Sequence, residues 1–403
     1  MAVALELLED DSWEQDYAFS LDVHCEFLQA AFLKGDLNLA EKYIQVVLGK
    51  ATSTLDKMPA FEIEMQYHIA RGDQQSALDA GLQVVELLEI PLSSSPPEAI
   101  EVAFLSELPE IKDQRVKAAL EILDSIITPA WALNPELFEK ITYTMVNLSI
   151  RYGNSASACV GYAFYGGLLC GKLGDIETGY KFGKLALELL DKFNAKFFIA
   201  KVENLFASRV MHWKEPARTT TKLHFEATQL GLETGEIEFA CYNMVESCHY
   251  NFLVGTELKS LEQRYLKNGE LIRQLKQEFH LNYLSPWQQM IQNLLGGSEH
   301  GVKLKGDFFD EDAFLESFVQ QRQLTLAFIT YQAKTMLAYL LREYDHAYEN
   351  ALLAEKFKDG VTGMLFLPVH NFYYSLTLIA LFPKPTSPGS RLSSNKLMKT
   401  RKI

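Results

Sequence analysis

A recurring turn is the feature that most constrains how this chain folds. Apolar helical segments reach Gly-Asp at residues 35–36, 72–73 and 174–175, with weaker copies at 235–236, 255–256 and 342–343. Glycine just past a helix end adopts the left-handed conformation that closes the helix, and an acid after it caps the next helix. A small residue follows five positions after the first residue of each copy: Ala40, Ala77, Gly179, Ala240, Ser260 and Ala347. Each copy therefore predicts a helical hairpin whose two helices approach closely.

The spacing of these turns predicts an array. The interval from Gly35 to Gly72 is about one repeat of the roughly 34–47 residues that are typical of tetratricopeptide-like proteins, and the interval from Gly174 to Gly255 is about two. No stretch alternates apolar and polar residues between hairpin-turn signals, so no strands are expected. The predicted fold is all-α, a tetratricopeptide-like helical-hairpin repeat array, or α-solenoid.

Composition shifts along the chain suggest its organisation. We expect N-terminal helical hairpins over residues 1–90 and a Pro/Ser-rich joint at 91–97. The main array is expected over 98–382, with a Gly-rich loop near 295–306. Residues 383–403 contain Lys and Arg but no acid, although the whole chain carries a net charge of −14. Their composition predicts a disordered basic tail.

Charge, cysteines and the N-terminus bear on location and partners. A net charge of −14 argues against a general nucleic-acid binder, which must neutralise phosphates. The first residues have no basic region ahead of an apolar run, so they do not resemble a secretory signal. The five cysteines are an odd number without a CxxC pair, which indicates reduced, buried thiols rather than a disulfide framework. We expect a cytoplasmic protein.

Two uncharged stretches, 152–171 and 360–383, are long enough to cross a hydrocarbon core of ~30 Å. Polar residues interrupt both, among them Asn154 and His370, and each adjoins amphipathic helical sequence. The prediction is a pair of buried helices and no membrane span.

One segment has the spacing of a phosphate-binding loop. Residues 166–173 match the start of GxxxxGK, but Leu173 stands where the motif needs Ser or Thr for Mg²⁺. Glycines at a tight helix–helix contact are the favoured explanation. Kinase, hydrolase, dinucleotide-binding and zinc-binding motifs are absent from the sequence. We therefore predict a non-enzyme with no catalytic, cofactor-binding or metal-binding residues and no cofactor.

Two further patterns each leave two interpretations open. Residues 258–279 carry a seven-residue apolar pattern that could form a short dimer seam, although packing inside the array is favoured. Tyrosines cluster in two places and could line a concave groove or fill the core, which is favoured. These tyrosines are Tyr162, Tyr165, Tyr180, Tyr373 and Tyr374.

Several segments together resemble a known family. They are residues 144–155, 173–180, 213–215 and 231–240, with Asp11-Ser12-Trp13 and the turn at 35–36. The chain is similar over 5–382 to the tetratricopeptide-like helical middle region of large bacterial signalling proteins. Those proteins combine a serine/threonine kinase, an AAA-type ATPase, a GAF domain and a sensor histidine kinase. None of these catalytic parts is in this sequence, so the resemblance implies a fragment and carries over no active-site residue.

The resemblance implies a role without catalysis. We expect a scaffold or relay region of a signal-transduction kinase/ATPase protein. Its expected partners are kinase, ATPase or sensor domains, in cis or in trans, with a small-molecule signal as a further candidate and no nucleic acid. The alternative is a ligand-sensing repeat domain like those of large ATP-dependent transcription activators.

Overall fold

The protein is described by a computed structural model, which covers residues 5, 7–9, 11–71, 73–98, 100–299 and 301–382. These residues contain 18 α-helices. The chain divides into two compact units: unit 1 is Met1–Tyr162 and unit 2 is Ala163–Ile403.

The first eight helices begin in unit 1. They are α1 Ser12–Gln15, α2 Tyr17–Leu33, α3 Leu37–Lys50, α4 Met58–Ala70, α5 Gln74–Leu87, α6 Gln114–Leu133, α7 Pro135–Tyr152 and α8 Ala158–Leu168. Helix α8 continues into unit 2, which holds the remaining ten. They are α9 Ile176–Lys192, α10 Ile199–Arg209, α11 Ala217–Thr234, α12 Ile237–Leu253, α13 Leu258–Gln274, α14 Glu278–Leu294, α15 Glu311–Gln320, α16 Leu324–Leu340, α17 Tyr344–Ala354 and α18 Phe366–Leu381.

Successive helices pack against each other as hairpins within each unit. In unit 1, α4 also contacts α2 and α6, and the three helices form an inner layer. In unit 2, the inner layer consists of α10, α12, α14, α16 and α18. The described residues contain no strand, only two isolated β-bridges. The predicted all-α, helical-hairpin repeat array is confirmed.

The recurring turns have the predicted backbone conformation. Gly35, Gly174, Gly235 and Gly255 have φ between 75° and 84°, and Arg342 has φ 67°. Gly72 lies outside the described residues. The residue after the turn caps the next helix in the four best copies, where a carboxylate accepts a backbone N–H three residues on. These caps are Asp36, Asp73, Asp175 and Glu236.

One copy departs from the expected register. After Gly255, helix α13 has Glu257 as its N-cap, so the helix begins one residue later than in the other copies. The residue four positions after the cap is then Leu261, which is fully buried, and Ser260 is exposed. The prediction that Ser260 is the close-contact residue is wrong, because an extra turn residue rotates the helix.

The segment 91–97 does not separate the two units. Helices α5 and α6 pack against each other across it, and Gly81 lies so close to Ile126 that a Cβ would meet its Cγ2 at 2.2 Å. The backbone N–H of Ser93 donates to Thr144 Oγ1 at 2.7 Å, which holds the segment against α7. The division falls instead between Tyr162 and Ala163.

The glycine-rich loop near 295–306 packs against its own unit. Asn293 Nδ2 donates to the carbonyls of Gly301 and Lys303, both at 2.8 Å, and Leu304 is fully buried. The basic tail expected at 383–403 lies outside the described residues.

Of the two uncharged stretches, 152–171 contains the end of α7 and all of α8, and 360–383 contains α18. Throughout the part of the chain that the structure describes, each helix is too short or too polar to cross a membrane.

Candidate functional site

Unit 1 has an open groove on its inner layer. The groove has a volume of about 610 Å³ and lies between α2 and α4. We call it the N-terminal groove; its lining residues are Asp22, Cys25, Glu26, Gln29, Phe32, Leu33, Pro59, Glu62, Ile63 and Gln66. Carboxylates and amides alternate there with apolar side chains, and Leu33 is 76% exposed. A surface of this kind suits a partner that brings both charge and apolar area.

Two titratable groups in the N-terminal groove have raised pKa values. Burial, with the neighbouring carboxylates Glu121 and Asp124, raises the pKa of Glu62 to about 7. Burial and the nearby Asp22 raise the pKa of the Cys25 thiol to about 11. Burial is the larger cause of both shifts, and the neighbouring carboxylates add to it.

Within the described residues, the lining of the N-terminal groove includes neither lysine nor arginine. Asp22, Glu26 and Glu62 make no ion pair or hydrogen bond to another described side chain. A basic segment would be complementary to these unpaired carboxylates and the apolar groups next to them.

A short segment of the same chain packs against the inner layer of unit 2. Residues 360–366, which we call the crossing segment, run from the last two residues of the short helix Glu355–Val361, through a turn, to Phe366, the first residue of α18. Five of its seven residues are buried: Gly360, Val361, Gly363, Met364 and Phe366. The segment contacts residues more than a hundred positions away in sequence.

Side chains of the inner helices, and Trp213 in the short helix after α10, hydrogen-bond the backbone of the crossing segment. Trp213 Nε1 donates to the Gly363 carbonyl at 3.2 Å, and the Leu365 N–H donates to Tyr250 Oη at 3.4 Å. On α16, Thr325 Oγ1 donates to the Gly360 carbonyl at 2.8 Å. The carbonyl of Phe366 accepts from Gln332 Nε2 at 2.7 Å.

Close packing accompanies these bonds. A Cβ on Gly171 would lie 2.2 Å from the Gly363 Cα, and Gly363 itself has φ 79°. The Phe366 ring is fully buried, with ring centroids of His249 and Trp287 at 5.7 and 5.6 Å. Only glycine fits at the crossing, and an aromatic ring fills the space three residues further along.

A buried polar cluster lies beneath the crossing segment. Asn204 Nδ2 donates to Glu246 Oε2 at 2.8 Å, joining α10 to α12. Asn243 Oδ1 faces His224 Nδ1 at 2.8 Å, which connects α12 to α11. The Tyr250 hydroxyl donates to the Ser208 carbonyl at 2.7 Å. The cluster links three helices to one another.

The chemistry of this cluster follows from its burial. Burial raises the pKa of Glu246 to about 7, although Arg209 and the hydrogen bond from Asn204 act in the opposite direction. Burial lowers the pKa of His224 to about 4 and that of His249 to about 3. Glu246 is 1% exposed. The hydrogen bonds of the cluster align α10, α11 and α12 with one another.

The phosphate-loop-like segment is a helix–helix contact. A Cβ on Gly166 would lie 2.8 Å from the Gly179 carbonyl, and one on Gly179 would lie 2.5 Å from Cys170 Sγ. Residues 158–173 are helical throughout, so they form no loop around a phosphate. This confirms that the glycines serve close packing.

The seven-residue pattern at 258–279 is internal to unit 2. Leu261, Tyr265 and Ile272 are fully buried, and Asn268 Nδ2 donates to the Met244 carbonyl at 3.0 Å. Packing within the array is therefore confirmed, and the stripe is not exposed for a dimer seam.

The tyrosines divide between two environments. Tyr162 and Tyr165 are buried, which confirms that they fill the core. Tyr180 is half-buried and donates to Glu215 Oε1 at 2.6 Å, and Tyr373 and Tyr374 are half-buried on α18.

The sequence predicts no site residues and does not by itself reveal either surface. The N-terminal groove had a weak signal, since Asp22 and Glu26 are one helical turn apart on α2. The crossing segment has a clearer signal, because it lies in the uncharged stretch 360–383, which includes Gly363 and Phe366.

Comparison with known proteins identifies no family for this chain. Neither a family model nor a curated protein matches the chain. Among solved structures, one match is described as a circular tandem repeat protein with novel repeat topology and enhanced subunit contact surfaces. The chain is 13% identical to it, with 94% of this chain and 87% of that chain covered and a TM-score of 0.15. The fold assignment therefore rests on the helices described above.

Proposed function

We propose that the chain is a non-catalytic helical-repeat scaffold or relay for domains of a signal-transduction protein. Kinase, ATPase or sensor domains are its partners, in cis or in trans. The observation that carries the proposal is the N-terminal groove, which is open and has unpaired carboxylates. The inner layer of unit 2 is packed by its own crossing segment at Gly363 and Phe366, whereas the N-terminal groove of unit 1 is open.

The lining of the groove suggests what the partner presents there. Asp22, Glu26 and Glu62 would pair with lysine or arginine, while Phe32 and Leu33 would contact apolar side chains. A segment that alternates basic and apolar residues satisfies both requirements. Exposed charge pairs are screened by salt, so such binding weakens as ionic strength rises.

A relay role follows from how the groove is built. Its two walls, α2 and α4, belong to successive hairpins, and a repeat array is held together by contacts between neighbours. A segment bound across both walls favours one spacing of the two hairpins over others. That preference can then pass to α6, which packs on α4.

The proposed location is the cytoplasm, which agrees with five cysteines that are all free. The ligand-sensing alternative stays a prediction.

Fluorescence anisotropy tests the proposal with a labelled peptide of alternating Lys and Leu and a matched peptide of alternating Glu and Leu. We expect the full chain to bind the basic peptide, and the variants Glu26→Lys and Glu62→Lys to bind it at least about tenfold more weakly. Glu86→Lys makes the same charge change on the exposed side of α5 and should bind as the wild type does. Equal affinity for all three variants would overturn the assignment of the groove.

A further inference from the structure

The chain that carries the acidic N-terminal groove also carries a basic segment. Residues 391–403, which we call the basic stretch, contain five lysines and arginines, four apolar residues and no acid. The lining of the N-terminal groove has three carboxylates and, within the described residues, neither lysine nor arginine. The basic stretch and the groove are therefore complementary in charge.

The order of charged and apolar groups in the groove also matches the basic stretch. On α2, the exposed carboxylates of Asp22 and Glu26 come first, and the exposed Leu33 side chain lies at the end of the helix. A helical rise of about 1.5 Å per residue places Leu33 about 16 Å along the axis from Asp22. About five residues of extended chain span the same distance. Residues 399–403, Lys-Thr-Arg-Lys-Ile, place basic residues before an apolar one over this length.

A second groove in the chain is a poorer match for a basic segment. It lies between α13 and α14, has a volume of about 380 Å³, and has Glu270 and Arg273 in its lining. Glu270 Oε2 already accepts a hydrogen bond from Arg273 Nη1 at 2.7 Å. A basic segment would have to displace that guanidinium, which repels it as a like charge. The carboxylates of the N-terminal groove have no such ion pair within the described part of the chain.

We propose that the basic stretch binds the N-terminal groove of its own chain and competes there with basic partners. This inference rests on the proposed function, because it takes the groove as the partner-binding surface and adds its regulation. A partner must displace the basic stretch before it can bind, so the apparent affinity of the groove is lower than its intrinsic affinity.

The connection to the same chain favours its own basic stretch over that of a second copy. Eight residues, 383–390, separate the basic stretch from Phe382, which ends α18. A segment joined to its site by a short linker has an effective concentration in the millimolar range, whereas a second copy is present only at its bulk concentration. Two chains that each carry a net charge of −14 also repel each other.

Competition tests the proposal. A labelled peptide of residues 391–403 is titrated, with fluorescence anisotropy as the readout, into the wild type and into a full chain whose basic stretch carries four serine replacements. These replacements are Lys396→Ser, Lys399→Ser, Arg401→Ser and Lys402→Ser. We expect this four-serine variant to bind the peptide at least about tenfold more tightly than the wild type does, because its own stretch no longer competes.

Two matched controls separate charge from other effects. Replacing four uncharged residues of the same region should leave peptide binding as in the wild type. These are Ser390→Ala, Ser393→Ala, Ser394→Ala and Thr400→Ala. In the four-serine variant, adding Glu26→Lys should weaken peptide binding at least about tenfold, whereas adding Glu86→Lys, on the exposed side of α5, should leave it unchanged.

The outcomes distinguish this inference from the proposed function. Equal affinity of the wild type and the four-serine variant for the peptide would overturn the inference. The proposed function would still stand if both chains bound the alternating Lys and Leu peptide, and it would fall if they bound neither peptide. Light scattering should show a monomer for both chains. A wild-type dimer that the four-serine variant loses would assign the basic stretch to a second copy and overturn binding within one chain.

A second measurement reports on the groove itself. Cys25 lines the groove and is half-buried, whereas the other four cysteines are buried. Iodoacetamide, a neutral reagent, should modify Cys25 at least about threefold faster in the four-serine variant than in the wild type, because the bound stretch covers the thiol. High salt should remove this difference by screening the charges. Equal rates at low salt would refute occupation of the groove by the basic stretch.

Discussion

Acidification to pH 5 should weaken unit 2 through histidines that its core keeps neutral. His224, His249 and His280 are at most 3% exposed, and burial lowers their pKa values to about 4, 3 and 3. An imidazolium ion is hydrated in the unfolded chain but not in the buried core. Protonation of a buried histidine therefore favours the unfolded chain. We consider His280, which packs in α14 against the Tyr242 ring at a centroid distance of 4.4 Å.

The magnitude follows from linkage. The folded pKa of His280 is depressed from 6.5 to about 3, so its contribution to the free energy of unfolding is complete above pH 6.5 and is lost as pH falls towards 3. At pH 5 the loss is about 2 kcal/mol for one such histidine. Glu246 acts in the opposite direction, because its raised pKa of about 7 weakens the fold as pH rises. Its effect cancels when a histidine variant is compared with the wild type.

The assay is hydrogen exchange read by mass spectrometry in α12 and α14, at pH 7.5 and pH 5 and corrected for intrinsic rates. Replacing His280 by Leu removes the titrating group at similar volume. Between pH 7.5 and pH 5, the free energy of opening should fall by about 2 kcal/mol less in His280→Leu than in the wild type. His346→Leu is the matched control, because its side chain is 58% exposed, and it should lose as much as the wild type does.

The result that would refute the reasoning is a variant whose loss between pH 7.5 and pH 5 equals that of the wild type to within about 0.5 kcal/mol. His280 would then be charged in the folded protein or already neutral in the unfolded one.

Two further predictions concern the backbone. Gly171→Ala should lower the free energy of unfolding of unit 2 by about 3 kcal/mol in urea, because the new Cβ would lie 2.2 Å from the Gly363 Cα. The control is Gly49→Ala, which adds a Cβ in open space within α3 and should slightly raise the free energy of unfolding. A Gly171→Ala chain as stable as the wild type would contradict the close crossing. Asp175→Ala should cost about 1 kcal/mol by loss of the cap on the Thr178 N–H, whereas exposed Glu188→Ala should change stability by less than about 0.5 kcal/mol. Equal effects of these two acidic replacements would remove the capping role.

The hairpin turns could be predicted because their causes are local. A glycine in the left-handed conformation and an acid that caps the next helix act within about five residues, as Gly174 and Asp175 do. The fully buried Ala40 and Ala347 follow from the same register. Where one more residue enters the turn, after Gly255, the register shifts, and neither composition nor helical period signals this change.

The two candidate surfaces depend on contacts between distant parts of the chain. Residues 360–366 read only as an uncharged stretch, because the Gly171 and Trp213 contacts that hold them are far away in sequence. Similarly, the negative character of the N-terminal groove arises where α4 brings Glu62 close to Glu121 of α6. Helical period places residues on one face but does not tell which face meets another helix.

What the sequence determined by itself is the repeating helical hairpin, since turn, cap and apolar period are properties of neighbouring residues. Tertiary structure alone decided which surface stays open. Packing filled the inner layer of unit 2 with the chain's own Gly363 and Phe366, and it left Glu26 and Glu62 of unit 1 unpaired. The physical reason is that burial and charge compensation are summed over all neighbours in space, and most of those neighbours are remote in sequence.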